Sequence, residues 1–201
     1  MPRKPDVALE GRIVDVAYRL WSEHGEAALT MRAVARAAKT TTPTVYQRFR
    51  DKTDLRHFLE ERARQKMFAA LRSVDTPIEI CRKTLEFISG HINEYRLLSS
   101  DWGTRFAQKT PMRSFDYFGE AVAKHLGGTT EDPKELTFQL FALVHGTALL
   151  QPPGKEREKT AEALNEACLK ACSVLLSDAT RRKKNHSKRG GKSDSPRLIK
   201  N

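Results

Sequence analysis

The chain is poor in cysteine, with 3 in 201 residues, and short of acidic side chains, with 25 Asp plus Glu against 36 Lys plus Arg. Cys81, Cys168 and Cys172 are odd in number and lack C-x-x-C spacing, which disfavours both a disulfide framework and a zinc site. They are expected to be reduced and buried. Long hydrophobic runs are also missing. The best segment, 138–150, carries Gln139 and His145 and falls short of the ~20 apolar residues a membrane helix needs. Residues 1–10 hold Arg3, Lys4, Asp6 and Glu10 around no apolar core, so a secretory signal is not expected and a cytoplasmic location is. Nine Pro, eleven Gly and 7% aromatics are ordinary globular usage, against a collagen-like or fully disordered chain. What is present, 39% apolar residues, suffices to bury a core in one or two small domains.

The basic excess is unevenly placed. Residues 1–60 hold 11 basic and 8 acidic side chains, 61–180 hold 16 of each, and 181–201 hold 9 basic and 1 acidic. A neutral body thus lies between a mildly basic N-terminal segment and a strongly basic tail, which suggests two contacts with a polyanion. The tail has Leu198 and Ile199 as its apolar residues, too few to offset chain entropy, and is expected to be disordered. Such tails add sequence-independent phosphate affinity, although a solvated terminus without a role is equally compatible with the composition.

Apolar residues recur at helical spacing almost throughout. Leu9, Ile13, Val16, Ala17, Leu20 and Trp21 predict a first helix stopped by Gly25. Thr30 is a good N-cap for a second over 31–38, and Pro43 suits the first turn of a third over 42–49. Two short helices joined by a three-residue turn make a helix-turn-helix. Asp51 or Thr53 can cap a long fourth helix to about Arg72. Further runs follow Pro77, Pro111 and Asp132-Pro133, with an ambiguous piece over 99–108, stops at Gly127-Gly128 and Pro152-Pro153-Gly154, and a last helix over 156–176. No strand alternation or internal repeat is found. The expectation is an all-α chain of about nine helices: a three-helix, helix-turn-helix domain over 1–52, a larger helical domain over 53–180, and the tail over 181–201.

The helix-turn-helix has the composition that DNA recognition needs: short polar groups at the N-terminal end of the second helix of the motif, hydrogen-bonders outside, and Val45 and Phe49 inside. Gln47 suits bidentate contact with adenine, while the Thr42 methyl or Pro43 ring suits a thymine methyl. Thr44, Tyr46, Arg48 and Lys52 carry donors for phosphate oxygens, and Thr30 and Arg32 stand where the preceding helix begins, whose backbone N–H groups can hold another phosphate.

The string LTMRAVARAAKTTTPTVYQRFRDKTDL, residues 29–55, resembles the DNA-binding domain of the tetracycline-repressor (TetR) family of bacterial transcription regulators. The match rests on Thr30, the Val34-Ala35 and Ala38 helix, the set Thr44, Val45, Tyr46 and Phe49, and Lys52 before Asp54-Leu55; Ala17, Leu20, Trp21 and Gly25 extend it. Lys39 departs from it, standing where the family usually has Gly, and is expected either to take a positive φ at a cost of about 1 kcal/mol or to alter the turn. Arg50 stands where Pro is frequent. The resemblance implies a homodimer that binds a palindromic operator and releases it when a small molecule occupies the C-terminal domain. Ala142, Gly146, Ala148, Ala161, Ala167 and Ala171 on the last two helices are small enough for close packing against a second copy.

The segment with Phe141 before His145-Gly146 is similar to a TetR subtype named for a Trp-His-Gly pattern. A ligand pocket between helices is expected to draw on Phe87, His91, Tyr95, Trp102, Phe106, Tyr117, Phe118 and His145, with Trp102 beside Gly103 the favoured single residue. Neither a nucleophile with its base, a phosphate-cradling Gly loop nor metal-ligand spacing is found in convincing form, so no enzyme, cofactor or metal is expected. A redox pair at Cys168 and Cys172 is disfavoured, because a disulfide within one helix is strained. The competing reading is a sequence-indifferent DNA-compacting or tethering protein driven by the tail, without an effector.

Overall fold

The computed structural model describes residues 7–128, 133–151 and 157–190. Among them the chain forms ten α-helices, a single 3-10 turn at Glu26–Ala28 and no strand. The helices are α1 (Val7–His24), α2 (Met31–Ala37), α3 (Thr42–Tyr46), α4 (Lys52–Leu71), α5 (Pro77–Gly90), α6 (Ile92–Ser99), α7 (Trp102–Ala107), α8 (Arg113–His125), α9 (Pro133–Leu149) and α10 (Arg157–Gly190). They divide into two compact units, residues 1–72 with 86–111, and residues 73–85 with 112–201.

The first unit is built on the apolar stripe of α1. Ile13, Val16, Ala17 and Trp21 are buried, and Gly25 then takes φ 74°, which glycine adopts without steric cost. The stripe of α4 repeats every four residues, Leu55, Leu59, Ala63, Met67 and Leu71, and all five are buried. Polar ties fix α6 to this pair. Trp21 donates its indole N–H to the Asn93 carbonyl (3.2 Å), Asn93 donates back to the Ser22 carbonyl (2.8 Å), and the Ser22 hydroxyl reaches Glu94 (2.6 Å). From α4, Lys66 pairs with the same carboxylate at 3.3 Å.

In the second unit α9 packs against α8 and α10. Phe118 and Val122 of α8, Leu140 and Val144 of α9, and Cys168, Cys172 and Leu176 of α10 are buried in its core. All three cysteines are free thiols and buried.

Several sequence expectations need correction. The continuous run after Pro77 breaks into α5 and α6 at His91, whose φ −141° and ψ 51° are not helical. The ambiguous piece is the short helix α7, and α8 begins at Arg113, after Met112, so Pro111 does not open it. The compact units cut across the expected 52/53 boundary, since α4 packs with α1 and α6. The tail is not irregular from residue 181: α10 continues to Gly190, because Lys and Arg are good helix formers despite their charge. The Pro152-Pro153-Gly154 stop, Asp132 and tail residues 191–201 lie outside the described residues.

Candidate nucleic-acid interface

Three side-chain caps shape the motif. Thr30 accepts from the Ala33 N–H (3.1 Å) to start α2, Thr41 accepts from Thr44 N–H (3.3 Å) to start α3, and Asp51 accepts from Asp54 N–H (2.8 Å) to start α4. The Thr41 cap was not legible beforehand, because four successive residues, Thr40 to Pro43, all suit a helix start. Between α2 and α3, Lys39 takes φ 54°. Thr40 N–H donates to the Ala35 carbonyl (2.9 Å) and Lys39 N–H to that of Arg36 (3.2 Å), closing a Schellman turn that needs a left-handed residue at this point. The family's usual Gly position is thus kept in shape with Lys in it. Behind the motif Val34, Ala35, Ala38, Val45 and Phe49 are buried.

The outward residues are fewer than the sequence suggests. Tyr46 is 52% exposed, and Arg32, Pro43 and Gln47 are exposed with it; Thr42 is half-buried. Gln47 is the residue at which α3 ends, so it sits at the far end of the short helix from Thr42 and Pro43. The Thr44 hydroxyl is engaged with that of Thr41 at 2.8 Å and serves the cap. Arg48 turns back to α1, its side chain 15% exposed and its guanidinium 3.7 Å from Glu10, a partner 38 residues away that no local pattern reveals. Lys52 donates to the Glu26 carbonyl at 3.3 Å while remaining half-exposed. Sequence reasoning passed over Arg36, exposed one helical turn after Arg32 on α2, and exposed Lys39 and Arg50 extend the same basic surface.

Residues 13–57 match the family model for bacterial regulatory proteins of the tetR family, and this segment coincides with α1 to the start of α4. The helix-turn-helix segment is therefore of the tetR type. No curated protein matches it in sequence. Among solved structures, a tetR-family transcriptional regulator from Streptomyces coelicolor is similar with a TM-score of 0.63 at 18% identity, over 89% of each chain. The multidrug binding protein EbrR, solved with imidazole, aligns with a TM-score of 0.55 at 21% identity, over 87% of this chain and 93% of its own. A TetR-like transcriptional regulator from Rhodococcus sp. RHA1 gives 0.53 at 19%, over 87% and 96%. These likenesses establish the fold. The matched segment is accordingly the chain's helix-turn-helix head.

The eight residues expected around a ligand fall into both units, five in the first and three in the second. In the first, Phe87 stacks on His91 (4.6 Å, 19°), Tyr95 meets Trp102 edge-on (5.7 Å), and Phe106 is half-buried. Burial pushes the Tyr95 phenol up to about 12. In the second, Phe118 is buried, Tyr117 donates to the Val74 carbonyl (2.6 Å), and His145 packs against Phe141 (3.9 Å), which meets Phe115 (5.4 Å). Burial lowers His145 to about 3, so its ring is neutral at physiological pH. These are packing contacts of the kind a core makes. The family match ends at residue 57 and does not reach the Phe141 and His145-Gly146 segment, so it carries nothing for the Trp-His-Gly subtype. Among the described residues no helix is long and apolar enough to cross a membrane, and no group of three or more His, Cys, Asp or Glu is placed to hold a metal.

Proposed function

We propose that this regulator works as a homodimer that represses from a palindromic operator and leaves it when a small molecule fills the C-terminal domain. The observation that carries the dimer is an exposed small and apolar face in the second unit. Phe138, Ala142 and Gly146 follow one another at every fourth residue on α9 and lead to Leu149 and Leu150, which are 73% and 72% exposed. Ala163, Ala167, Ala171 and Val174 form the matching stripe on α10. A face of this kind left open to water is the surface a two-fold interface needs, with small residues allowing close helix contact. Ala148 and Ala161, which the sequence also offered for this role, are buried inside the chain and pack there instead.

A dimer sets the operator geometry. Its two heads enter successive major grooves about 34–36 Å apart, so the site is a palindrome with half-sites one helical turn apart. Occupancy that changes the spacing or tilt of the heads weakens DNA binding by favouring a state that cannot make both contacts. Support for a small-molecule effector comes from the shared fold with EbrR, which has been solved with imidazole and with ethidium. Pro43, Thr42 and Gln47 are proposed as base readers and Tyr46, Arg32 and Lys52 as phosphate contacts, with Thr30 shaping the start of α2. Thr44 and Arg48, engaged as described, position α3. The sequence-indifferent, effector-free alternative is not favoured by the family match. Light scattering of the chain and of Gly146→Glu tests the proposal: a dimer that becomes a monomer and loses operator affinity supports it, and an unchanged mass overturns the interface.

A further inference from the structure

The last three turns of α10 carry a run of positive charge with no acidic residue within it. Residues 181–190 hold six basic side chains and no acidic one, yet they continue a regular helix. Cations near a helix C-terminus are favoured by its dipole, but that effect is confined to the final turn. Arg181 and Arg182 lie two turns before Gly190. Arg181 and Lys184 stand three apart, a like-charge spacing that destabilises an isolated helix. One carboxylate, Asp178, serves both arginines, at 2.7 and 2.6 Å, and their side chains stay 76% and 82% exposed.

The start of this arm is also held in place. Lys183 donates to the Leu126 carbonyl at the end of α8, and the Thr180 hydroxyl lies 3.3 Å from His125 Nε2. Anchored there, the helix presents Arg181, Arg182 and Lys184 outward. Beside it runs an open groove of about 650 Å³ where Arg181 and Lys184 stand with Ser177, Thr180 and Asn185. Guanidinium, ammonium, hydroxyl and amide donors on one strip are the set that phosphate oxygens accept from.

We infer that the C-terminal third of α10 is a second, sequence-indifferent contact for the phosphate backbone of duplex DNA, separate from the helix-turn-helix. This rests on the chain being a DNA-binding regulator, and charge complementarity selects the partner. The bound polyanion removes the like-charge repulsion that the free helix tolerates. Base edges are not read here, so the arm adds affinity and salt dependence without changing which site is chosen.

The test compares the full chain with the triple variant Arg181→Gln, Arg182→Gln, Lys184→Gln, since Gln keeps helix propensity. Affinity for a random-sequence duplex and for DNA containing the operator is measured across salt concentrations, with circular dichroism as the control for folding. Each lost phosphate contact lowers the slope of log K against log salt by about 0.9, so a drop of roughly 2 to 3 is expected on both duplexes with the footprint unmoved. An unchanged slope overturns the inference. So does an unchanged slope accompanied by lost binding to phosphatidylserine vesicles, which would assign the arm to a membrane surface. Because the arm's share is read as the change in slope on a random duplex, which holds no operator, failure of the operator reading is told apart from failure of this one. A Tyr46→Ala variant should lose operator protection and keep the arm's share of the slope.

Discussion

Lys39 holds a left-handed conformation that costs an L-residue about 1–2 kcal/mol, whereas glycine adopts it freely but loses about 0.5–1 kcal/mol through unfolded-chain entropy. Lys39→Gly is therefore expected to stabilise the head by roughly 0.5–1 kcal/mol in denaturant melts, and a lowered midpoint would show that the turn carries no strain. His145 is a second residue with a measurable signature. Its folded value is depressed, so it binds a proton more readily when unfolded: its stability contribution is intact above pH 6.5 and is lost as pH falls toward 3. His145→Gln should flatten the stability profile across that window. Glu94 acts at lower pH. Burial pushes its carboxyl up, but hydrogen bonds from Ser22 and its own backbone and the Lys66 charge pull it down further, leaving it below the usual range. Its contribution is present above the ordinary glutamate value and is lost as pH falls through the folded one. At the DNA face, Gln47→Ala should relax preference at one base pair by about 1–3 kcal/mol, read by competition with single-base operator variants. Tyr46→Ala should weaken binding to every sequence alike.

At the scale of elements, caps and stripes did most of the specifying. Thr30 and Asp51 cap the helices expected of them, and Gly25 ends α1 with its positive φ. Thr30→Ala is expected to cost about 1 kcal/mol through the lost bond to Ala33 N–H. Leu59→Ala, in the buried stripe of α4, should cost about 2–5 kcal/mol by cavity formation; a smaller loss would mean that the surrounding helices collapse onto the site. What the sequence did not disclose came from partners distant in the chain. Arg48 looks outward on a helical wheel and is turned inward by Glu10. The apolar period runs unbroken from Ile80 to Tyr95, so the break at His91 left no trace in it. The length of α10 was hidden because like charge reads as disorder, while its helix propensity and the anchoring of Lys183 on α8 favour order. The candidate ligand residues are the least legible of all, since aromatic rings on apolar faces serve core and pocket equally.

For the whole molecule, the division into units follows contacts of long sequence separation: Ser22, Lys66 and Glu94 join α1, α4 and α6 across more than 70 residues. The family match at 13–57 and the fold it shares with solved regulators make DNA binding the property on which dimer, operator and effector all depend. Footprinting of the full chain on the DNA upstream of its own gene, at several salt concentrations, tests that most directly. Protection of one short palindrome, with half-sites about 34–36 Å apart and present at every salt that permits binding, is the expected result. Diffuse protection that follows no sequence and vanishes when residues 181–201 are removed would contradict it.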